Sequence, residues 1–150
     1  LELPDVAFRT LLSALHRPEP MMLMPLLEGQ ERSVDFSCHD GHLLGTVTRI
    51  KAGTSQRLLH DSYGEELARF VAQTFRLTGV LNLQTIEDTA GTQRLMEVNT
   101  RASGGIGMTA LTDVNLPALL LDAIDGVRSD RPARVTGEVQ AGRREQFWAV

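Results

Sequence analysis

The stretch from Gln84 to Gly107 restricts the possible fold most, because it combines two short strands, a tight turn and a glycine-rich loop. The turn signal is Asp88-Thr89-Ala90-Gly91, which lies between an apolar strand, Gly79–Glu87, and a second strand, Gln93–Val98. Turn residues between two strand-like runs are typical of an antiparallel hairpin. The sequence therefore predicts a hairpin whose open end carries polar side chains and leads into the loop.

Three polar residues at this open end predict a cation site. Glu97 and Asn99 flank Val98, so their side chains point to the same face of the strand. Gln84, on the partner strand, can reach that face as well. Carboxylate and amide oxygens suit Mg²⁺, which also binds the phosphates of a nucleotide. The hypothesis is a magnesium–nucleotide site, and the alternative is the solvated face of an antiparallel sheet.

Two groups of residues suit an anion. Arg101 begins a glycine-rich loop, 101–107, and arginine is well matched to phosphate. Backbone N–H groups in such loops bind anions, although the spacing fits neither the Rossmann nor the P-loop motif. Arg49 and Lys51 share one strand face, so we expect a phosphate or an acidic substrate to offset their repulsion. The alternatives are a plain connection for the loop and a solvent-facing basic edge for the pair.

Several residues before the first hairpin turn are weaker candidates. Glu31 could accept ribose hydroxyls, or it could be an ordinary surface glutamate. Leu26 and Leu27 could contact an adenine ring, or they could belong to the core. A metal or nucleophile site on the first hairpin turn is rejected, because the cluster has no second pair at zinc spacing and no oriented base. Its members are Cys38, His39, Asp40 and His42.

Composition excludes several classes of protein. The chain has 150 residues, enough for one domain with a core. Its net charge of -4 argues against a general binder of nucleic acid or of membrane surfaces, which would be basic. No apolar run approaches the length of a membrane span. The single cysteine allows no internal disulfide, which fits a cytoplasmic location.

The first half of the chain predicts one helix and two further strands. Periodic apolar residues and flanking prolines indicate a helix over Asp5–Arg17. Met21–Leu27 is predicted as a short strand at an edge or as a connection, because Pro25 lacks a backbone donor. The Asp40-Gly41 turn predicts a hairpin that joins the two strands Arg32–His39 and His42–Lys51. In its second strand, Gly45 suggests a close approach of backbone or ligand.

The second half predicts two helices around the polar hairpin. Residues 52–60 are expected to form a loop, followed by a helix from Ser62 to about Arg76 that a Ser62–Glu65 capping box opens. Its expected buried face is Leu67, Phe70, Val71 and Phe75. Asn115 is predicted to cap a last helix with Pro117 in its first turn and Gly126 past its end. A further strand is expected near Val135–Val139. The fold class is α+β, an antiparallel sheet covered by helices.

Residues 21–126 resemble the ATP-grasp superfamily. The similarity is greatest to its carbamoyl-phosphate-synthase-like branch and to relatives encoded with tellurite-resistance operons. Four runs carry it: Leu27-Glu28-Gly29-Gln30-Glu31-Arg32-Ser33-Val34-Asp35, Arg49-Ile50-Lys51, Gly79-Val80-Leu81-Asn82-Leu83-Gln84, and Glu97-Val98-Asn99-Thr100-Arg101-Ala102-Ser103-Gly104-Gly105. The resemblance implies an ATP-grasp C-terminal lobe over 21–126, after a lead-in helix (1–20) and before a tail or added strand (127–150).

The resemblance also implies a function and roles for the candidate residues. Such enzymes use ATP and Mg²⁺ to make an acyl phosphate from a carboxylate, which an amine or similar nucleophile then attacks. Glu97 and Asn99 would hold Mg²⁺ on the triphosphate, with Gln84 near a second metal position. Arg101 would face the transferred phosphate. The remaining expected contacts are Arg49 and Lys51 in catalysis, Glu31 at the ribose, and Pro25, Leu26 and Leu27 at the adenine.

Departures from the family pattern lead to further expectations. The lobe with the phosphate-binding lysine should precede Met21, yet Lys51 is the single lysine and the sequence begins without methionine. We therefore expect residues before Leu1, and a missing N-terminal lobe as a partner besides a small carboxylate substrate. Alone, the chain is expected to bind Mg-ATP weakly and to be inactive. The alternatives are a non-catalytic lobe that binds nucleotide or a partner, and a plain α+β domain.

The missing lobe should also leave apolar surface uncovered. The candidate surfaces are the strand His42–Lys51 and the helix Asp5–Arg17. The expected consequence is self-association, that is, a homo-oligomer.

Overall fold

The described part of the chain folds into one sheet flanked by helices. The computed structural model describes residues 4–14, 25–127 and 129–142. The helices in these ranges are α1 (Asp5–Ala14), α2 (Ser62–Phe75), α3 (Ile106–Thr109) and α4 (Leu116–Ile124). The strands are β1 (Glu31–His39), β2 (His42–Ala52), β3 (Ser55–Leu59), β4 (Gly79–Glu87), β5 (Gln93–Asn99), β6 (Ala133–Arg134) and β7 (Glu138–Gly142).

The strands follow the order β5-β4-β1-β2-β3-β7, and β6 pairs with β2. Pairing along this path is antiparallel, and only the short β2–β6 pairing is parallel within the described residues. The predicted α+β class, an antiparallel sheet covered by helices, is therefore confirmed.

Both predicted hairpins form, and local turn chemistry explains each. Asp40 and Gly41 have φ values of 47° and 81°, the left-handed conformation that a two-residue hairpin turn requires. In the second turn, the Asp88 carboxylate accepts hydrogen bonds from the N–H groups of Ala90 and Thr92, both at 2.9 Å. A side chain that bonds its own turn in this way stabilises the reversal locally.

The two faces of the sheet differ in chemistry. On one face Val34 and Phe36 of β1 pack with Leu81 and Leu83 of β4 against helix α2. Val47 and Leu58 lie on the opposite face, where they pack against the segment 114–119, which includes the start of α4. The β1 residues on that second face are polar, namely Ser33, Asp35 and Ser37, and all three are buried. The second face thus carries an apolar region and a polar region side by side.

Helix α2 packs through small residues rather than through the predicted phenylalanines. Gly64, Ala68 and Ala72 lie four residues apart and are buried against the sheet. A Cβ added at Gly64 would lie 2.8 Å from Val34 Cγ2, so the helix approaches β1 too closely for larger side chains. Phe70 and Phe75 are 63% and 67% exposed, and the prediction that they are buried was wrong.

The capping prediction for α2 was wrong by one residue. Asp61, not Ser62, is the N-cap, and its carboxylate accepts a hydrogen bond from the Gly64 N–H at 3.2 Å. Asp61 also binds Arg32 of β1 at 2.9 Å. Aspartate and serine are both favoured N-cap residues, so the adjacent pair Asp61-Ser62 left the position of the cap ambiguous by one residue. The predicted cap of α4 is confirmed, because Asn115 Oδ1 accepts from the Ala118 N–H at 3.1 Å.

Two strand assignments differ from prediction, and a third segment takes one of its two predicted forms. Residues 52–60 were expected to be a loop, but Ser55–Leu59 forms β3, which pairs with β2 and β7. The C-terminal strand is Glu138–Gly142 rather than Val135–Val139. Pro25–Leu27 is not in a strand, and the rest of the predicted strand Met21–Leu27 lies outside the described residues. Pairing with distant segments creates β3 and β7, so their own sequences indicate them weakly.

Two surfaces were predicted to lack cover, the strand His42–Lys51 and the helix Asp5–Arg17, and the structure differs for the strand. Most of β2 is buried, including the whole run from Gly45 to Ile50, so the prediction that this strand is an open apolar face was wrong. A Cβ at Gly45 would lie 2.7 Å from Leu119 Cδ1, which identifies the suggested close approach as that of α4. Helix α1 has no buried residue in its described span. None of the helices in the described ranges is long and apolar enough to cross a membrane.

A buried carboxylate holds β6 against α2. Glu65 accepts hydrogen bonds from Arg134 Nε at 2.6 Å and Nη2 at 2.8 Å, and from Arg69 Nη2 at 2.7 Å. The hydrogen bonds from Arg134 hold the pKa of Glu65 below its ordinary value, against the opposing effect of burial, and Arg69 adds to them. Glu65 is therefore the charged anchor of the segment that carries β6.

The two candidate caps of α2 can be compared directly. Asp61→Ala should lower the free energy of unfolding by about 1–2 kcal/mol, because it removes the N-cap and leaves Arg32 without its ion pair. Ser62→Ala, the matched control, should change it by less than about 0.5 kcal/mol. Urea denaturation monitored by circular dichroism measures both. An equal loss in the two variants would contradict the assignment of Asp61 as the cap.

The lowered pKa of Glu65 predicts a pH dependence of stability. A carboxyl group with a depressed folded-state pKa contributes stability above its unfolded pKa, about 4.3, and loses it as the pH falls further. The difference in unfolding free energy between wild type and Glu65→Gln should be largest at neutral pH and should shrink below about pH 4. A difference that stays constant from pH 7 to pH 3 would contradict the ion-pair role.

Candidate functional site

Strand register brings the three predicted metal-site residues together. Gln84 of β4 lies directly opposite Glu97 of β5, and Asn82 lies opposite Asn99. Directly opposed residues of antiparallel strands point to the same face. Asn99 Nδ2 donates a hydrogen bond to Glu97 Oε1 at 2.7 Å. The side chains of Gln84, Glu97 and Asn99 therefore share one small region of the second face.

The donor set of this region fits a hard cation. It offers one carboxylate and two carboxamide oxygens, and Mg²⁺ prefers oxygen ligands while it keeps several waters. Glu97 is exposed and Asn99 is half-buried, so solvent and phosphate oxygens can complete the coordination. In the described ranges, no three His, Cys, Asp or Glu side chains cluster as metal ligands. The metal roles of these three residues remain predictions.

Beside this group lies a buried network centred on Arg49. Arg49 is only 7% exposed, and its Nε donates to Asp35 Oδ2 at 2.6 Å. Nη1 donates to Gln56 Oε1 at 2.9 Å, and Nη2 donates to Ser33 Oγ at 2.9 Å and to Ser103 Oγ at 2.8 Å. Each of the three nitrogens thus has an acceptor from the protein itself.

Arg49 and Lys51 each have a carboxylate partner within the protein, so their charges do not require a bound anion. The carboxylate of Asp35, which is fully buried, neutralises Arg49. Lys51 Nζ lies 3.1 Å from Glu31 Oε2, so this cation also has an internal partner. The two pairs differ in environment, because the side chain of Lys51 is 68% exposed and open to a ligand. The catalytic role predicted for each cation remains a prediction.

The glycine-rich loop rests on the Arg49 guanidinium. Ser103 Oγ accepts a hydrogen bond from Arg49 Nη2, which holds the loop at this point. A Cβ added at Gly105 would collide with the guanidinium group, so only glycine allows the loop to lie this close. The loop is therefore seated at a fixed position rather than being a plain connection.

Two adjoining clefts open beside the loop. The smaller has a volume of about 210 Å³ and is lined by Glu31, Lys51 and Gln84, together with Arg49 and the loop. The larger, about 680 Å³, shares Arg49 and Lys51 and extends towards Met108 and β7. Four of the predicted site residues thus line one cleft: Glu31, Arg49, Lys51 and Gln84.

The other predicted site residues lie apart from these clefts. Leu26 is 76% exposed and Leu27 is half-buried, so Leu26 at least is not a core residue. Both line a separate hollow of about 340 Å³ with Asp88 and Thr89 of the β4–β5 turn. Arg101 is exposed, and its Nη1 donates to the Ala102 carbonyl at 3.2 Å. The structure leaves this guanidinium facing solvent at the start of the loop.

The rejected cluster on the first hairpin turn has ordinary structural contacts. Cys38 is buried in the core, and burial raises the pKa of its thiol to about 11, so it is not a reactive thiolate. The hydrogen bond from Arg76 holds the pKa of Asp40 below its usual value. These contacts are consistent with the rejection of a nucleophile or metal site there.

Sequence reasoning did not identify Asp35 or Asn82 as site residues. Asn82 is fully buried, and its Nδ2 donates to Ser33 Oγ, Val34 O and Asp35 Oδ1 at 2.9, 3.3 and 3.0 Å. A signal was present, since Ser33 and Asp35 alternate with Val34 and Phe36 in the sequence. A charged residue on such a strand face needs a partner, and the facing strand β2 supplies Arg49.

Because Arg49 is buried and Lys51 is exposed, we expect their replacement to lower the unfolding free energy by different amounts. Arg49→Met should lower the unfolding free energy by about 3–5 kcal/mol, because it leaves the Asp35 charge buried and unpaired. Lys51→Met, the matched control, breaks an exposed pair and should cost no more than about 1 kcal/mol. Urea denaturation measures both. Adding Asp35→Asn to Arg49→Met should recover part of the loss, and no recovery would contradict the pairing.

Solved structures show that this fold recurs in larger proteins. The biotin carboxylase domain of a thermophilic 2-oxoglutarate carboxylase, bound to bicarbonate, superposes with a TM-score of 0.55 at 16% identity, over 75% of this chain and 30% of that one. The corresponding domain dimer from Hydrogenobacter thermophilus, in complex with MgADP, ADP and bicarbonate, gives 0.52 at 16% identity, over 73% and 28%. This chain thus spans less than a third of either domain.

A third solved structure superposes less well. The L-amino acid ligase from Bacillus licheniformis gives a TM-score of 0.47 at 18% identity, over 64% of this chain and 29% of that one. No curated protein sequence matches the chain. A family model described as "ATP-grasp in the biosynthetic pathway with Ter operon" matches residues 17–146. The chain therefore belongs to this ATP-grasp family, as the resemblance predicted.

Proposed function

We propose that this chain is the Mg-ATP-binding C-terminal part of an ATP-dependent ligase that joins a carboxylate to an amine or a similar nucleophile through an acyl phosphate. Membership of an ATP-grasp family supports the use of ATP. The observation that carries the proposal is the cross-strand group in which Gln84 faces Glu97, and Asn99 is bonded to Glu97. Its oxygens are the donor type that Mg²⁺ takes in nucleotide sites.

In this proposal Glu97 and Asn99 hold the cation on the triphosphate, and Gln84 lies near a second metal position. The cation would neutralise phosphate charge during phosphoryl transfer, a reaction that depends on positioning and electrostatics more than on covalent help. The position of Gln84 supports this division of roles. It faces Glu97 across the strands and also lines the cleft that holds Lys51.

Arg101 and Lys51 are the proposed phosphate contacts. Both side chains are exposed, so each can reach a ligand without leaving a buried site. Lys51 would keep its contact with Glu31, whose second oxygen remains able to accept a ribose hydroxyl. Arg49 would contribute indirectly, because its donors already hold the glycine-rich loop and the sheet.

The hollow beside Leu26 and Leu27 is the proposed place for the adenine ring. Its volume, about 340 Å³, and the apolar side chain of Leu27 suit a flat aromatic group. The larger cleft of about 680 Å³ leaves room for a small carboxylate substrate next to Lys51. Since the chain spans under a third of the similar solved domains, other parts of such an enzyme would supply the remaining contacts.

Calorimetric titration with Mg-ATP tests the proposal. Wild-type chain should bind Mg-ATP in a magnesium-dependent manner, and Glu97→Ala combined with Asn99→Ala should weaken that binding by at least about tenfold. Glu66→Ala is the matched control, because it removes an exposed carboxylate from α2 on the opposite face of the sheet. It should leave the affinity unchanged.

Two results would contradict the proposal. Magnesium-dependent binding that persists in the Glu97/Asn99 double variant would exclude these residues as the metal site. A folded wild-type chain without any binding at millimolar Mg-ATP would contradict Mg-ATP binding by this chain on its own, and a titration with the other parts of such an enzyme present would separate a solvated sheet face from a lobe that needs its partner. Binding without phosphoryl transfer would favour a nucleotide-binding lobe over a complete catalyst.

A further inference from the structure

One buried polar atom in the site region lacks a partner. Asn82 is fully buried, and within the described residues its Oδ1 neither accepts a hydrogen bond nor reaches solvent. An orphaned buried acceptor is costly, and it persists where the group has a further task. The three acceptors of Asn82 Nδ2, which lie on β1, fix the orientation of the carboxamide. Its oxygen is therefore held in place without a partner.

The residue opposite Asn82 is Asn99. Side chains of directly opposed residues start about 4.5–5.5 Å apart at their Cβ atoms and point to the same face. The carboxamide of Asn99 is thus within hydrogen-bonding reach of Asn82. In the present structure Asn99 Nδ2 is instead bonded to Glu97 Oε1.

That bond has to be exchanged when a cation occupies the proposed metal site. If Glu97 and Asn99 bind one cation, the Asn99 carboxamide must turn its Oδ1 to the side on which its Nδ2 now lies. The N–H group then points away from Glu97 and needs a new acceptor. The opposite strand offers the unpartnered Oδ1 of Asn82.

We infer that Asn82 is a positioning residue, whose Oδ1 accepts a hydrogen bond from Asn99 Nδ2 when Asn99 turns its oxygen to a divalent cation. This inference rests on the proposed function. Asn82 itself does not touch the cation or the nucleotide. It selects the carboxamide orientation that binds metal, and Asp35 and Ser33 hold Asn82 in place. The buried network and the metal site are thereby connected through one side chain.

A double-mutant cycle tests this role, with Mg-ATP affinity measured by calorimetry. Asn82→Leu should weaken binding by about tenfold in the wild-type background. Asn99→Asp keeps an oxygen ligand but has no N–H group to donate. In that background, Asn82→Leu should change the affinity by no more than about twofold. A purely structural role, or a buried water on Asn82 Oδ1, would instead produce the same loss in both backgrounds and overturn the inference.

Two further variants make the outcome decisive. If Asn82→Leu fails to fold, Asn82→Val replaces it, since valine suits a strand and has no atom that could accept a hydrogen bond from Asn99. Glu97→Ala separates this inference from the proposed function. If wild-type binding does not depend on Glu97, the proposed function fails and Asn99 has no cation to face. If binding depends on Glu97 but the cycle shows no coupling, only the role of Asn82 fails.

Discussion

The buried ion pair between Asp35 and Arg49 organises the polar region of the sheet. Burial of two charges is unfavourable unless their geometry is good and every remaining donor is satisfied. Here Arg49 meets that condition by reaching β1, β3 and the glycine-rich loop at once. The hydrogen bonds that offset the burial of the Arg49 charge therefore connect three separate parts of the chain. The position of the loop relative to the sheet follows from this requirement.

The distribution of apolar residues explains why Gln84 and Glu97 stay accessible. The segment 106–119 packs with β7 over the region of the second face that holds Val47 and Leu58. Helix α2 lies on the other face of the sheet. Gln84 of β4 and Glu97 of β5 thus stay outside the covered region, and Gln84 lines the smaller cleft. The fold supplies a covered core and an uncovered site from a single sheet.

Features set by local chemistry could be predicted from the sequence, and features set by distant contacts could not. The turns at Asp40-Gly41 and 88–91, the Asn115 cap and the shared face of Gln84, Glu97 and Asn99 depend on neighbours in the chain or in one hairpin. The ion pair of Asp61 with Arg32 and the strand β3 depend on β1, β2 and β7.

The charge of Arg49 was misjudged for the same reason. Two cations on one strand face suggested a phosphate ligand, but the neutralising carboxylate lies on the neighbouring strand β1. Strand alternation in β1 placed Ser33 and Asp35 on a common face, and only the strand register shows that this is the face of Arg49. Periodicity within one strand thus gives the direction of a side chain, whereas its partner depends on the pairing of strands.

The close contact between Gly105 and the Arg49 guanidinium has a consequence for redesign of this scaffold. The loop and the arginine behave as one module, because a side chain at 105 and a guanidinium at 49 cannot occupy the same space. A loop transplanted from another protein would fit here only if it also brings a glycine at this point and a hydroxyl where Ser103 stands. Diversity in loop 101–107 is therefore confined to positions that do not face the sheet.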